Sequence, residues 1–305
     1  MKNILGLDNG YNFTKSSKGV CIHSTIKPGT DDINNVIQTT VSGKDYIVGE
    51  PNGTYIADAD KLKSAATKEV LKVTTLTAIG MSYPKEQFID VNLVVGVPVG
   101  YFSKQREELK YMIENLGDKV YINQVGIEQI IKINEVLVYP QSAGLVFKKA
   151  SKLKEESTLV IDIGGGTWDI SQFNGLKLEE KATYQEGMLV LYEKIAQFLN
   201  SNYYTNYEPS EIYHLLKRGF FTSTGEKKSM DLVKPVIANH IREIMTKLTR
   251  AFDVTSVDNI FLIGGGAAEL TPYIKDHIPN AELEENAQFT NAECFELMGK
   301  LKFNR

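Results

Sequence analysis

Short, nearly unbroken apolar runs alternate along this chain with segments of helical period, a texture that predicts strands and helices in succession. The runs around residues 4–7, 90–98, 159–163 and 259–263 are rich in Val, Ile and Leu, as suits strands buried on both faces of a sheet. Between them, residues 62–83 mix helix-period apolar positions with small ones, and Ser103 opens a charged helix that runs to Leu116. Residues 232–252 carry Ile237, Ile241, Ile244, Leu248 and Phe252 at three- and four-residue spacing, which predicts a long amphipathic helix with Pro235 in its first turn. After the first run the texture changes. Pro28-Gly29, Ser42-Gly43 and Pro51-Asn52-Gly53 separate short alternating strands such as residues 45–49, which reads as a small insert over residues 28–85. Near the end, Gly264-Gly265-Gly266 leads into a helix that Thr271-Pro272 restarts. Thr290-Asn291-Ala292-Glu293 has the form of a capping box for a last helix with Cys294, Leu297, Met298 and Leu301 on its apolar face.

Two of the buried runs end alike. Ile4-Leu5-Gly6-Leu7-Asp8-Asn9-Gly10 continues to Lys15, and Leu159-Val160-Ile161-Asp162-Ile163-Gly164-Gly165-Gly166-Thr167 continues to Asp169, with the two aspartates 154 positions apart. That separation is a domain length. The pattern therefore predicts a duplicated α/β fold: one domain over residues 1–153, a second over 154–285, and a C-terminal helix over 286–305 docking back on the first. The charged stretch at 152–156 marks the crossing.

A strand ending in a carboxylate and a glycine turn suits phosphate and metal. Glycines let successive N–H groups converge on an anion, and Gly10 and Gly164 to Gly166 supply them. The aspartates would repel that anion, by about 4 kcal/mol for unit charges 4 Å apart at an effective dielectric of 20. A divalent cation between them removes the conflict. Mg²⁺ keeps most of its waters, so Asp8 and Asp162 would hold it through water while Lys15 reaches the phosphates. The chain contains no Gly-x-x-x-x-Gly-Lys-Ser/Thr loop, which excludes the P-loop route to the same chemistry.

Composition narrows the partners. At 305 residues and 42% hydrophobic content the chain can bury two cores. A net charge of −4, from 34 basic and 38 acidic residues, gives no basic field for nucleic acid or anionic lipid, so any link to DNA requires an adaptor. Cys21 and Cys294 make neither a disulfide framework nor a metal cluster, and His23, His214, His240 and His277 lack metal-ligand spacing. Trp168 and Phe220-Phe221 read as core or subunit contacts. The apolar stretch at 91–102 is too short to span a bilayer and contains Pro98, and the reading is a cytoplasmic protein with no membrane partner.

Asp8-Asn9-Gly10-Tyr11-Asn12-Phe13-Thr14-Lys15 resembles the first phosphate loop of the actin superfamily. Asp162-Ile163-Gly164-Gly165-Gly166-Thr167 resembles its second phosphate loop, and Leu262-Ile263-Gly264-Gly265-Gly266-Ala267 its adenosine motif, in family order. Within the superfamily, residues 94–102 and 46–50 look most like the bacterial plasmid-partition actins of the ParM or StbA type. The resemblance implies an actin-like ATPase fold, with two duplicated domains of mixed sheet flanked by helices around a nucleotide cleft. It implies ATP, or GTP, with Mg²⁺, and filaments of the chain itself that segregate plasmid DNA through a centromere-binding adaptor. It places Gln141, in Val138-Tyr139-Pro140-Gln141-Ser142-Ala143-Gly144, where the family orients the attacking water. Partition actins often carry glutamate there; a glutamine acts by positioning, being no base. By the same resemblance Tyr11, Asn12, Glu186 and Gly187 lie along phosphates and ribose, and Lys217 beside the nucleoside. The fold alone also serves phosphotransferases and chaperones, and a nucleotide-binding scaffold with little turnover is the remaining alternative.

Overall fold

The computed structural model describes residues 3–50, 53–56 and 60–304; Pro51 and Asn52 of the third expected turn lie outside the described residues. The described residues form two large sheets and a hairpin. The first sheet contains β1 (Asn3–Asn9), β2 (Phe13–Ser16), β3 (Cys21–His23), β4 (Thr25–Pro28), β5 (Ile37–Val41), β6 (Lys44–Val48), β7 (Thr54–Tyr55), β8 (Phe88–Val97), β9 (Asp118–Ile122) and β10 (Glu128–Pro140). Its order is β3-β2-β1-β8-β10-β9-β5-β6-β4-β7, so the strands of the polar insert region continue the same sheet. The second contains β11 (Ser157–Ile163), β12 (Trp168–Asn174), β13 (Lys177–Tyr184), β16 (Asn259–Ile263) and β17 (Glu282–Leu283), in the order β13-β12-β11-β16-β17. β14 (Phe220–Ser223) and β15 (Glu226–Ser229) make the hairpin.

The same five-strand unit occurs twice. β1 pairs antiparallel with β2, β2 antiparallel with β3, β1 parallel with β8 and β8 parallel with β10. β11, β12, β13, β16 and β17 repeat every one of those pairings. Each copy puts an aspartate near the end of a central strand, where the chain turns into the antiparallel neighbour.

Side-chain alternation explains why the central runs are almost wholly apolar. Leu5, Leu7, Val91, Leu93 and Val95 enter a core shared with α1 (Ala65–Ser82) and α2 (Phe102–Glu114). The intervening Ile4, Gly6, Val94 and Gly96 meet the last helix, α9 (Thr290–Phe303). In the second sheet Leu159, Ile161, Ile260 and Leu262 pack with α5 (Met188–Tyr203), α6 (Pro209–Arg218), α7 (Lys234–Ala251) and α8 (Ala267–Lys275). Val160, Phe261 and Ile263 face the short helices α3 (Leu145–Lys148) and α4 (Ala150–Leu153). Both sheets are thus mixed and carry helices on both faces, as expected. Trp168 and Phe221 are fully buried core residues.

Three local expectations need correction. Thr271-Pro272 does not restart a helix: Pro272 lies inside the continuous α8, and the Thr271 hydroxyl donates to the Ala267 carbonyl. The capping box at Thr290 does not form, because Phe289 is the cap residue, the Thr290 hydroxyl donates to the Asn286 carbonyl and Glu293 pairs with Lys148. The buried face of α9 is Ala292, Cys294, Phe295, Met298 and Gly299, whereas Leu301 is exposed. The reason is that α9 lies against glycines. Gly6 brings β1 so close that a Cβ there would collide with the Ala292 carbonyl, and Gly96 leaves room for the Phe295 ring.

This contact predicts that Gly6→Ala, which forces α9 off the sheet, lowers unfolding free energy by about 3 kcal/mol. Gly19→Asn, at an open turn with φ +86°, is the near-neutral control. Equal urea midpoints for the two variants would show that α9 does not need the close approach.

Candidate functional site

The two aspartate turns are built to one plan. Gly10 N donates to the Phe13 carbonyl at 3.0 Å, and Gly164 N to the Thr167 carbonyl at 2.8 Å. Each donor is two residues past its aspartate, and each acceptor five. A Cβ would stand 2.7 Å from the Phe13 oxygen in the first turn and 3.0 Å from the Thr167 oxygen in the second, so each turn uses its glycine. The turns meet: a Cβ on Gly165 would press on Asn12, and one on Gly166 on the Tyr11 ring. Among the described residues, the N–H groups of Asn12, Gly165 and Gly166 donate to no backbone carbonyl, which leaves them free for an anion.

Within this shared plan the partner residues differ in sign. Across the β1/β2 ladder Asp8 lies opposite Lys15; across β11/β12 Asp162 lies opposite Asp169. Asp8 is buried. Burial pushes its carboxyl up, but the Lys15 ammonium at 2.7 Å, the Lys61 charge and the hydrogen bond from Gln141 together hold it below the usual range. Burial would likewise lower Lys15, yet the Asp8 contact raises it. Asp169 is satisfied by donors: Val99 N at 2.8 Å and the Thr183 hydroxyl at 2.5 Å on Oδ1, and the Thr167 hydroxyl at 2.8 Å on Oδ2. Burial still raises it. Asp162 accepts from Asn291 Nδ2 at 2.7 Å, and burial with the charges of Asp169 and Asp8 pushes it up to about 7.

Gln141 joins the first turn. Its Nε2 donates to Asp8 Oδ1 at 2.8 Å, and its Oε1 is buried with no hydrogen-bond partner. The next residue, Ser142, has φ +66°, an uncommon conformation for a side-chain-bearing residue. Its N–H donates to Asn291 Oδ1 at 3.3 Å, and its hydroxyl lies 2.5 Å from that of Ser171 on β12. Asn291, from α9, thus touches both the Gln141 segment and Asp162.

The turns enclose a cavity of about 40 Å³ lined by Asp8, Gly10, Lys15, Gln141, Asp162, Gly164, Gly165, Gly265, Gly266 and Asn291, among others. Beyond Tyr11 and Gly166 it adjoins a cleft of about 780 Å³, walled by His23, Tyr55, Tyr192, Glu193, Glu208, Tyr213 and His214. The three aspartates, Asp8, Asp162 and Asp169, line the small cavity and not the large one. Gly264, φ +94°, packs against the Asp162 carboxylate, and Ala267 is the buried first residue of α8.

Two expected residues sit elsewhere. The Glu186 carboxylate pairs with Lys247 at 2.8 Å and its carbonyl lies 3.1 Å from His240 Nε2, so only the following Gly187, packed on Gly165, adjoins the turns. Lys217 is exposed, pairs with Glu269 at 3.3 Å and lies over the Tyr213 ring; Tyr213, one turn earlier on α6, reaches the cavity instead. Residues that the sequence reading did not assign are Asp169, Asn291, Tyr192, Tyr213 and Lys61. Asp169 carried a signal, since it stands seven positions past Asp162 as Lys15 does past Asp8.

The carboxylates of Asp8 and Asp162 are hard oxygen donors on one cavity, which fits Mg²⁺ held through water. Among the described residues no three His, Cys, Asp or Glu side chains can hold a metal by themselves, so the ion would be completed by phosphate and water.

Two family profiles match the sequence: "Actin like proteins N terminal domain" over residues 6–144, and "Plasmid segregation protein ParM, C-terminal" over residues 153–298. The chain belongs to the actin-like proteins of the ParM type. Solved structures of this fold agree. A 15-stranded ParM filament from Clostridium botulinum superposes with a TM-score of 0.83 at 24% identity, covering 99% of this chain and 100% of that one. An archaeal actin homologue in complex with ADP gives 0.80 at 16% identity, covering 98% and 100%. An apo ParM crystal structure gives 0.69 at 19%, covering 99% and 98%. No curated protein matches by sequence. Among the described residues no helix of this ParM-type chain is long and apolar enough to cross a membrane.

The state of Asp162 predicts a pH effect. Its folded value, about 7, exceeds the ordinary 3.8, so the native state binds the extra proton and stability from this group falls as pH rises from about 4 to about 7, by about 1.4 kcal/mol per unit. In EDTA, Asp162→Asn should therefore be more stable than wild type at pH 8 and nearly equal at pH 4. Parallel stability curves for the two proteins, from urea melts across that range, would remove the assignment.

Proposed function

We propose that this chain is a nucleoside-triphosphatase that binds Mg²⁺ with ATP or GTP between its aspartate turns. We further infer that nucleotide drives it to form cytoplasmic filaments, which segregate plasmid DNA through a centromere-binding adaptor. The observation that carries the reading is the facing of the two matched turns, with the free amide oxygen of Gln141 beside Asp8. Family membership supports it, as do the filament reported for one relative and the ADP held by another.

On this reading the unpaired N–H groups of Asn12, Gly165 and Gly166 receive phosphate oxygens, and Lys15 neutralises charge there. When bound, Mg²⁺ supplies electrostatic stabilisation of the transferring phosphoryl group. Gln141 accepts a hydrogen bond from the attacking water through Oε1 while its Nε2 stays on Asp8. It aligns the water and takes no proton. Asp162→Ala should abolish phosphate release from a folded protein, and Gln141→Ala should slow hydrolysis by about ten- to a hundredfold while nucleotide binding persists. If binding and hydrolysis fell together in Gln141→Ala, Gln141 would be structural.

A cavity of about 40 Å³ is far below the roughly 300–1,000 Å³ of ligand pockets. The adjoining cleft of about 780 Å³ has room for the nucleoside, whereas seating the phosphates between the turns parts the Tyr11 and Gly166 contact, and closure on the bound nucleotide sets the relative orientation of the two sheets. That orientation aligns subunit surfaces, which lowers the critical concentration for assembly. Light scattering of the purified chain should rise above a threshold concentration with Mg-ATP or Mg-GTP, decay as nucleotide is consumed, and stay flat in EDTA. A chain that remains monomeric by sedimentation with Mg²⁺ and a non-hydrolysable analogue would defeat the filament reading in favour of a soluble phosphotransferase.

A further inference from the structure

Lys61 is fully buried, an unusual place for a lysine. It lies within the polar insert, three positions before Ser64, the residue that caps α1. Its Nζ donates to the Asn9 carbonyl at 2.5 Å and stands 5.0 Å from the centre of the Tyr11 ring. Both partners belong to the first aspartate turn, and both are neutral. Among the described residues, the charges that act on this ammonium are those of Asp8, Asp169 and Asp162, with Lys15 opposing. A buried ammonium held by a carbonyl and a ring face is a weakly partnered cation, and an anion arriving at Gly10 and Tyr11 offers it a stronger, charge-assisted bond.

The charge balance points the same way. Three carboxylates and Lys15 alone would leave the cavity two charges negative when all are ionised, a field that rejects a polyphosphate. Lys61 removes half of that excess, through the Asn9 and Tyr11 part of the turn. Its carbonyl partner also gives it somewhere to rest when no phosphate is present.

We propose that Lys61 is a second phosphate-directed cation, which leaves the Asn9 carbonyl for the terminal phosphates of a bound nucleotide and so discriminates triphosphate from diphosphate. This rests on the nucleotide-binding reading above. Because Lys61 is joined through Ser64 to α1, the move also transmits the phosphate count to the insert strands packed around that helix.

The test is calorimetric titration of the full chain, in Mg²⁺, with a non-hydrolysable ATP analogue, ADP and AMP. Wild type should bind the triphosphate more tightly than the diphosphate. No binding of any nucleotide would overturn the nucleotide reading and this inference with it. Lys61→Met should weaken the triphosphate by about ten- to a hundredfold, the diphosphate by about threefold or less, and AMP not at all. Equal weakening of all three would make Lys61 a structural residue, and no weakening would deny it any role. Lys61→Gln keeps a donor for the Asn9 carbonyl without the charge, which protects the test if the methionine variant does not fold. It should lose the same selectivity; a Lys61→Gln protein that keeps the wild-type triphosphate-to-diphosphate ratio would overturn the proposal. Lys61→Arg should restore most of the preference.

Discussion

Burying three carboxylates in one cleft is the constraint around which this molecule is arranged. Asp8, Asp162 and Asp169 are nearly inaccessible to water, and like charges that close raise one another's free energy unless each finds its own compensation. The solutions differ. Asp8 takes a lysine, Asp169 takes three hydrogen-bond donors from three segments, and Asp162 takes one amide from the last helix. The remaining imbalance sits on Asp162, which is why the second turn is the place where a cation would change the electrostatics most.

The fold was largely legible because its signals are local and repeated. The central runs are apolar at every position, since alternate residues face helices on opposite sides of each sheet, and the Asp-x-Gly turns mark the same point in both copies. The gathering of side chains was legible where it belongs to those turns: Asp8, Lys15 and Asp162 line one cavity, and Gln141 joins them. Contacts that the sequence did not announce have physical reasons. Glu186 and Lys217 found partners on neighbouring helices, Lys247 and Glu269, that no periodicity announces. Asn291 reaches Asp162 only because α9 crosses beneath β1, a contact across 129 positions. Lys61 sits in a polar stretch that reads as surface, yet the turn folds over it.

Duplication of the strand plan did not duplicate the roles of the residues. The position seven past each aspartate holds a cation in one copy and an anion in the other. Lys15 turns inward to the cavity. Asp169, through Val99 and Thr183, ties the second sheet to the segment following β8 of the first. One half therefore supplies attraction for an anion and the other a structural link between the sheets, so the symmetry of backbone hides a division of labour.

The close seat of α9 has a consequence for how the protein comes into being. The helix that completes the environment of Asp162 and covers β1 is synthesised more than 280 positions after the strand it covers. Until residues near 303 have left the ribosome, Asp162 lacks its Asn291 amide and the even-numbered face of β1 is bare. A chain that has not yet released α9 cannot have the complete site, so ligand binding and anything that depends on it must wait for that helix.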